Sequence, residues 1–354
     1  MSTTAPAATL SRPDTRKRGS DYAALMSRVR DAGLLERRLG YYGVKMIATL
    51  VAMVAGWVTF VLLGESWWQL VTAAFLAFVF AQTGFITHDA GHRQIFRTRR
   101  ANQLVGLVAG NLAIGLVFGW WVDKHHRHHT HPNQEGLDPD IGGNNLAYTD
   151  GQVANRKTWF GRLVVRHQGW LFFPMLLLLA IDLRVTGVKA LTRPGFRARV
   201  PEAVLFGTHI VGYLAALVLV LSPVQALVFF VVHQGLLGLY LGSVFAPNHK
   251  GMPILARDDD SDFLRRQVLT SRNVRGGWAL DFMLGGLNYQ IEHHLFPHMP
   301  RPALRHAQPL VRAHCEENGL PYLETGLFDS YAQALRHLDD VGRPRPDLRP
   351  EPLG

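Results

Sequence analysis

Two pairs of long apolar segments dominate the distribution of hydrophobic and polar residues along this chain. The first pair covers residues 46–63 and 67–87, and the second pair covers residues 203–221 and 224–246. Each segment has about the twenty apolar residues that a helix needs to cross a bilayer. The connections within the pairs are short and carry no lysine or arginine. The pattern predicts an all-α integral membrane protein whose four transmembrane helices form two hairpins.

Two further apolar segments fit the thickness of a bilayer less well. Residues 104–121 are interrupted by four glycines and by Asn111, and residues 170–181 provide only about twelve apolar positions. A helix that lies in the membrane interface suits such a segment better than a straight span does. We therefore expect both segments to form interfacial or re-entrant helices.

The remaining sequence is more polar and predicts two tails and a helical cap. Residues 1–38 lack the apolar core of a secretory signal, and we expect a flexible cytoplasmic tail there. Residues 39–342 are expected to form one domain, whose cytoplasmic cap includes amphipathic helices over residues 302–314 and 330–338. Residues 343–354 alternate proline with arginine, which predicts a disordered tail.

The formal net charge of +10 is placed beside the membrane segments. Lysines and arginines precede and follow the first hairpin, so the positive-inside rule predicts that both termini are cytoplasmic. No nucleic-acid recognition motif accompanies the charge, and we do not expect a nucleic-acid partner. The single cysteine, Cys315, excludes an internal disulfide and a multi-cysteine iron–sulfur site.

Histidines recur with helical spacing in three clusters that lie outside the apolar segments or at their ends. The clusters are His88 and His92; His125, His128 and His129; and Gln290, His293 and His294. Offsets of three and four residues place side chains on one helix face, where imidazoles can converge, whereas His126 and His131 point elsewhere. Two hairpins bring all three clusters to the cytoplasmic side, provided that residues 170–181 do not span. His249, directly after Asn248, follows the last apolar segment.

The number of histidines indicates two metal ions. Imidazole suits zinc, copper, iron and nickel. The seven clustered histidines and His249 exceed the needs of one ion, because first-row metals take about four to six ligands. A histidine-rich dinuclear site at the mouth of a membrane bundle suits iron and dioxygen chemistry on a hydrocarbon substrate.

Three motifs resemble the histidine boxes of membrane fatty acid desaturases: HDAGH at 88–92, HHRHH at 125–129 and QIEHHLFPHMP at 290–300. The third box, which begins with glutamine, is similar to that of front-end desaturases and of bacterial acyl-lipid and acyl-CoA desaturases. The resemblance covers roughly residues 40–340. It implies a di-iron centre that activates the co-substrate O2 and removes two hydrogens from adjacent methylenes, giving a cis double bond and water.

The resemblance also implies roles for individual residues. The catalytic iron ligands would be His88, His92, His125, His128, His129, His293 and His294. His249 stands where the family has a further histidine just after the last membrane helix. Gln290 replaces a histidine found in many members, so it is a weaker ligand or binds a metal-bound water. Asn248 is the other candidate for a cofactor contact.

Partners follow from the same resemblance and from what the sequence lacks. The substrate would be the fatty acyl chain of a membrane lipid or of acyl-CoA, with Δ5, Δ6 and Δ9 positions all open. No glycine-rich dinucleotide fingerprint, cysteine set or His-Pro-Gly-Gly haem motif is present. We therefore expect an external electron donor of the ferredoxin or cytochrome b5 type, with its reductase. Basic residues that could receive it, or instead lipid head groups or acyl-CoA phosphates, are Arg93, Arg97, Arg99, Arg100, Lys124 and Arg127.

Two other function classes remain open. A related membrane hydroxylase or carotenoid oxygenase would add an oxygen atom instead of removing two hydrogens. A metal transporter or sensor would place its ligands near the bilayer midplane between broken helices, whereas these clusters lie at helix ends.

Several polar residues outside the clusters have two readings. Asp89, Asp123 and Glu292 could orient ligand imidazoles or act as ordinary helix caps and surface carboxylates. His233, within the last apolar segment, is expected to form a hydrogen bond to a neighbouring helix.

Overall fold

Helices account for nearly all regular structure in the computed structural model, which describes residues 15–142 and 145–343. In chain order the helices are α1 Thr15–Asp31, α2 Leu39–Leu63, α3 Gln69–Gly91, α4 Arg99–Gly106, α5 Phe118–Thr130, α6 Asp150–Ala154, α7 Trp159–Arg166, α8 Gln168–Leu176, α9 Leu179–Leu191, α10 Arg199–Val220, α11 Pro223–His249, α12 Phe263–Leu269, α13 Trp278–Met283, α14 Gln290–Leu295, α15 Arg301–Glu317 and α16 Leu327–Gly342. A π-helix, Leu107–Ile114, continues α4. Two short strands, β1 Asn273–Val274 and β2 Glu324–Thr325, pair in parallel.

Four helices of the described chain, α2, α3, α10 and α11, are long and apolar enough to cross a membrane. They form the two predicted hairpins, which confirms the all-α membrane fold. Helices α3 and α11 pack against each other at the centre. In the most apolar stretch of each helix, 67% of the residues of α3 and 39% of those of α11 are buried. The corresponding shares for α2 and α10 are only 17% and 22%, so these two helices expose apolar side chains that suit a lipid environment.

The two shorter apolar segments form bent helix pairs. The chain turns by 113° between the α4–π-helix unit and α5, and by 74° between α8 and α9. The buried Asn111 side chain accepts the backbone N–H of Phe118 at 3.1 Å and donates to the Glu202 carboxylate at 3.2 Å, which holds the first bend. Gly115 ends the π-helix with φ of +64°, a conformation that favours glycine. The prediction that neither segment forms a straight span is confirmed.

The N-terminal region departs from the expectation of a flexible tail over residues 15–38. It contains α1, whose Leu25 and Val29 are fully buried against the cap, and the Tyr22 hydroxyl donates to the Leu295 carbonyl at 2.9 Å. The two apolar residues are four positions apart, so they form a narrow buried stripe within an otherwise charged sequence. Residues 1–14 and the predicted disordered tail over residues 344–354 lie outside the described residues.

The cap consists of α1, α12, α14 and α15, which share one apolar core. The amphipathic helices predicted near the C-terminus are confirmed as α15 and α16. Gly285 and Gly286 precede α14 with φ of +62° and +75°. A Cβ atom on Gly286 would lie 2.6 Å from Cγ of Arg301, so the turn that delivers α14 needs glycine for both conformation and space.

Candidate metal centre

Eight histidines from four helical regions converge between the membrane helices and the cap. They come from the end of α3, from α5, from the last residue of α11 and from α14. All are buried except the half-buried His125. They are His88, His92, His125, His128, His129, His249, His293 and His294. The structure therefore brings together every histidine that the sequence singled out as a ligand.

The first group of potential ligands consists of His88, His92, His125 and His293. One nitrogen of each lies within 4.8 Å of the corresponding nitrogens of the others. The helical offset places His88 and His92 one turn apart, with ring centroids separated by 4.7 Å. His293 faces both rings at 4.8 Å and brings α14 against the end of α3.

The second group consists of His128, His249 and His294. The Nε2 atom of His249 lies 3.3 Å from Nε2 of His128 and 3.0 Å from Nε2 of His294. His129 lies between the two groups, because its Nε2 is 3.1 Å from Nε2 of His125 and its ring stacks on that of His294 at 4.1 Å. The two groups are therefore adjacent parts of one site.

Several ring nitrogens at this site are buried without any hydrogen-bond partner. They include Nε2 of His88 and His92 and both nitrogens of His293. Burial lowers the pKa of His92, His129 and His293 well below the usual value, and neighbouring imidazoles lower it further, which favours neutral rings with free lone pairs. Buried polar atoms without partners are costly, and a cation between the lone pairs would satisfy them. The donor set therefore fits metal ions.

In four of the eight rings, those of His88, His128, His249 and His294, a hydrogen bond to Nδ1 anchors the ring and points Nε2 inward. Nδ1 of His249 bonds the Thr270 carbonyl at 2.9 Å, and Nδ1 of His294 bonds Oε1 of Gln267 at 2.8 Å. Such outer contacts fix the tautomer and the ring orientation of a metal-binding histidine.

Asp138 is the carboxylate that anchors His128. Its oxygens lie 3.0 and 3.1 Å from Nδ1, and it accepts the backbone N–H groups of Asn133 and Asp140. Burial lowers the pKa of His128, but the two aspartates outweigh it and leave the pKa raised. Asp138 and Asp140 also form a possible metal set with His128. However, both carboxylates approach Nδ1, opposite the nitrogen that faces His249 and His294.

The three carboxylates considered from sequence have different roles. Asp89 accepts from Nδ1 of His88 at 3.1 Å and pairs with the buried Arg301 at 2.6 Å, so it does orient a ring. Asp123 is an exposed partner of Arg127. Glu292 accepts hydrogen bonds from Tyr322 and Asn273, each at 2.7 Å, and it stabilises the cap instead of an imidazole.

Sequence reasoning missed Asp138 and Gln267 as orienting residues. Asp138 has a weak local signal, because the Asp138-Pro139-Asp140 stretch follows the second box within ten residues. Gln267 has none, since α12 reaches His294 only through the tertiary packing of the cap. The prediction for His233 is confirmed, because its Nδ1 lies 2.9 Å from the Tyr213 hydroxyl on α10.

The two amide candidates occupy different positions. The Gln290 side chain lies 2.8 Å from Nε2 of His249, at the edge of the second group. Asn248 lies behind it, because its Nδ2 donates to Gln290 Oε1 at 3.3 Å and to the Leu287 carbonyl at 3.0 Å. Asn248 thus supports Gln290 and is outside both ligand groups. As expected, His126 is exposed and His131 turns away to bond Gln134.

An apolar cavity reaches the first group from the membrane helices. His88, Phe85 and Trp121 line it beside the histidines, and Leu241 and Phe245 of α11 form a wall. Its lining is overwhelmingly hydrocarbon, so a linear apolar chain fits the cavity better than a polar ligand does. The arrangement places a narrow, mostly apolar cavity beside the candidate metal site.

Comparisons with known proteins agree with this arrangement. Residues 65–326 match the family model described as Fatty acid desaturase. An Acyl-lipid (9-3)-desaturase of Physcomitrium patens is 34% identical over 283 residues, 77% of this chain and 53% of that protein. A Delta(6)-fatty-acid desaturase of Caenorhabditis elegans is 31% identical over 339 residues, 92% of this chain and 76% of that protein. A Delta(8)-fatty-acid desaturase of Euglena gracilis is 29% identical over 329 residues. The chain thus spans about half the length of the Physcomitrium relative.

Proposed function

This chain belongs to the fatty acid desaturase family, and we propose that it uses two iron ions and O2 to introduce a cis double bond into a fatty acyl chain. The acyl chain belongs to a membrane lipid or to acyl-CoA. The observation that carries the proposal is the contact between the first histidine group and the apolar cavity at His88. The named relatives differ in the position of the double bond, so the proposal stops at acyl desaturation.

The two groups divide the proposed ligands between two ions. His88, His92, His125 and His293 would hold one ion, and His128, His249 and His294 the other, with His129 between them. Iron held by these imidazoles would activate O2 and supply the oxidising power that removes two hydrogens from adjacent methylenes. Burial favours the neutral form of rings such as His92, His129 and His293, and hydrogen bonds to Nδ1 aim the Nε2 atoms of His128, His249 and His294 inward.

The cavity would hold the reacting segment of the acyl chain against His88. Phe85, Trp121 and Phe245 line the cavity together with His88. A chain held there presents particular methylenes to the metal centre, because the aromatic side chains leave it little freedom. Positioning of this kind is how the site would choose two adjacent carbons within an otherwise uniform chain.

The reaction needs two electrons and two protons from outside the acyl chain. The balance is –CH2–CH2– plus O2, two protons and two electrons, giving –CH=CH– and two waters. We propose that an external ferredoxin or cytochrome b5 type carrier, supplied by its reductase, provides the electrons on the cytoplasmic side of the membrane.

A basic face above His92 is the proposed docking surface for that carrier. It consists of Arg37, Arg93, Arg97, His126 and His298, which neighbour one another. Lys124 and Arg127, also considered from sequence, pair instead with Asp140 and Asp123. The exposed His126 ring lies 6.0 Å from the ring of buried His92, so only one side chain separates the surface from a ligand. Electron transfer slows steeply with distance, and positive charge attracts an acidic carrier.

Product mass tests the proposed function. A host that expresses the protein should gain acyl chains lighter by two hydrogens, and the His88→Ala variant should yield none. His306→Ala, the same change at an exposed histidine, is the matched control and should keep wild-type product levels. Chains heavier by one oxygen would identify a hydroxylase instead, and unchanged lipids with folded, iron-loaded protein would contradict an acyl substrate.

A further inference from the structure

The apolar cavity extends from the histidines deep into the membrane bundle. Along α11, Phe245, Leu241 and Leu237 line it at intervals of four residues, so they lie on one helix face. From Phe245 to Leu237 the helix rises about 12 Å. Phe245 is one turn from His249, and Leu237 therefore marks the end of the cavity that is remote from the metal centre.

A polar group, Arg184 of α9, lines this remote end. Its guanidinium donates to Oε1 of Gln234 at 2.7 Å and to the carbonyls of Ile114 and Ala180, each at 2.9 Å. No carboxylate forms an ion pair with Arg184 among residues 15–142 and 145–343. An arginine without a counter-ion at this depth is costly, and such residues in membrane proteins usually serve function.

The partners of Arg184 extend the polar layer across the bundle. Gln234 donates to the Tyr213 hydroxyl at 3.3 Å and lies 3.0 Å from Nδ1 of His233. Tyr213 in turn lies 2.9 Å from the same His233 nitrogen. Helices α9, α10 and α11 and the end of the π-helix are therefore joined by one hydrogen-bonded network beneath the cavity.

An acyl chain that ends in a methyl group cannot pass this network. To do so it would have to separate Arg184 from Gln234 and from the Ile114 carbonyl, and the chain offers no donor or acceptor in return. Buried polar groups left without partners oppose that displacement, whereas methylenes that stop above the guanidinium remain in apolar surroundings. The network of Arg184, Gln234 and the Ile114 carbonyl therefore closes the remote end of the cavity, and we call it the floor.

We propose that Arg184, held by Gln234 and the Ile114 carbonyl, is a specificity-determining residue that limits the length of acyl chain accepted beyond the reacting carbons. This inference rests on the proposed desaturase function. Arg184 limits the chain length because it closes the end of the cavity, and it takes no part in the removal of hydrogen.

Substitutions at the floor and just above it should change chain-length preference in opposite directions. Arg184→Met keeps an unbranched apolar stem but removes the guanidinium with its charge and its hydrogen bonds, so it should open the cavity to longer chains. Leu237→Phe adds bulk above the floor and should favour shorter chains. Arg166→Met, the same change at an exposed arginine of α7, is the control.

The measurement is competition between two acyl substrates that differ by two methylenes, followed as the ratio of their desaturated products. Arg184→Met should raise the long-to-short ratio by about tenfold or more, since a methylene in a hydrophobic pocket changes discrimination by about that factor. Leu237→Phe should lower the ratio, and Arg166→Met should leave it unchanged.

The outcomes separate this inference from the proposed function. Product formation with a wild-type ratio in both cavity variants would overturn the inference while leaving the desaturase activity intact. A uniform rise of KM for all chain lengths in Arg184→Met would also overturn it, because it would indicate binding of a polar group. If Arg184→Met fails to accumulate in the membrane, the long-to-short product ratio of Leu237→Phe is decisive: a lower ratio supports the inference, and a wild-type ratio overturns it. Absence of any desaturated product from the wild type would instead contradict the proposed function.

Discussion

His249 is the proposed ligand that stands outside the three histidine motifs. It ends α11, and its Nε2 faces His128, His294 and Gln290 within 3.3 Å. If it completes the second metal group, its loss should empty that group although all three motifs remain intact.

We expect His249→Ala to abolish activity and to remove about half of the bound iron, because one of two ion positions loses a ligand with no substitute. Iron per chain and product formation are the measurements. His126→Gln is the control and should keep much of the activity, since His126 is exposed and turned outward. An inactive but iron-loaded His126→Gln variant would show that the assignment of helix faces is incorrect.

Asp138→Asn should weaken metal binding by about 10- to 100-fold, the usual effect of losing an orienting carboxylate. The amide keeps the volume but not the charge that anchors Nδ1 of His128. Competition with a chelator measures the affinity. Asp123→Asn, at an exposed carboxylate, should bind iron as tightly as the wild type does. Equal affinity in both variants would mean that Asp138 has no orienting role.

The ligand residues could be predicted from sequence better than the residues that orient them. Spacing by three and four positions is a local property of a helix, so it identifies the histidines directly. Gln267 reaches His294 through packing of α12 against α14, and the Thr270 carbonyl, just after α12, reaches His249 at the end of α11. No local pattern encodes either contact.

At the scale of elements, the apolar runs located the membrane helices but not their ends. The run that ends at residue 87 continues as helix to Gly91, and the run that ends at residue 246 continues to His249. Both helices continue beyond their apolar runs, because the polar ligand residues interrupt the hydrophobic pattern without ending the helix. The π-helix was not predictable, and its Asn111 contacts Glu202 of a distant helix, which no local pattern encodes.

The packing of helix α1 against the cap, where a flexible tail was expected, can be tested by substitution of Leu25. Leu25→Ala should destabilise the protein by about 2–5 kcal/mol, the usual cost of emptying a buried leucine site. The midpoint of thermal inactivation in membranes should fall accordingly. Leu39→Ala, at a leucine that is 56% exposed, should change it little. Equal midpoints in the two variants would indicate that α1 is not packed against the cap in the membrane-bound protein.

At the scale of the whole molecule, topology is what assembles the site. Two hairpins return the chain to the same side, so motifs separated by about two hundred residues meet between the α3 and α11 ends and the cap. This arrangement was predictable from the number of crossings. The contribution of residues 15–38 was not, because their apolar stripe is narrow and surrounded by charge.

The basic face should govern the supply of electrons. Arg93→Glu combined with Arg97→Glu should slow turnover driven by an acidic carrier, most strongly at low salt, where charge attraction is least screened. Turnover driven by a small chemical reductant should not change. Arg166→Glu, on α7, is the control for the change of charge. Equal slowing with both reductants would contradict a docking role. If the turnover of the double variant recovers in neutral bilayers but not in anionic ones, the two arginines contact lipid instead.

The metal content of the purified protein shows whether the two histidine groups bind two iron ions. After expression with ample iron, elemental analysis should find two irons per chain and little zinc if each of the two histidine groups holds one ion, as we propose. Variants His92→Ala and His249→Ala should each retain about one iron, since each removes a ligand from only one group. Stoichiometric zinc without iron in the wild type, or a single iron unaffected by one of the two substitutions, would contradict the account.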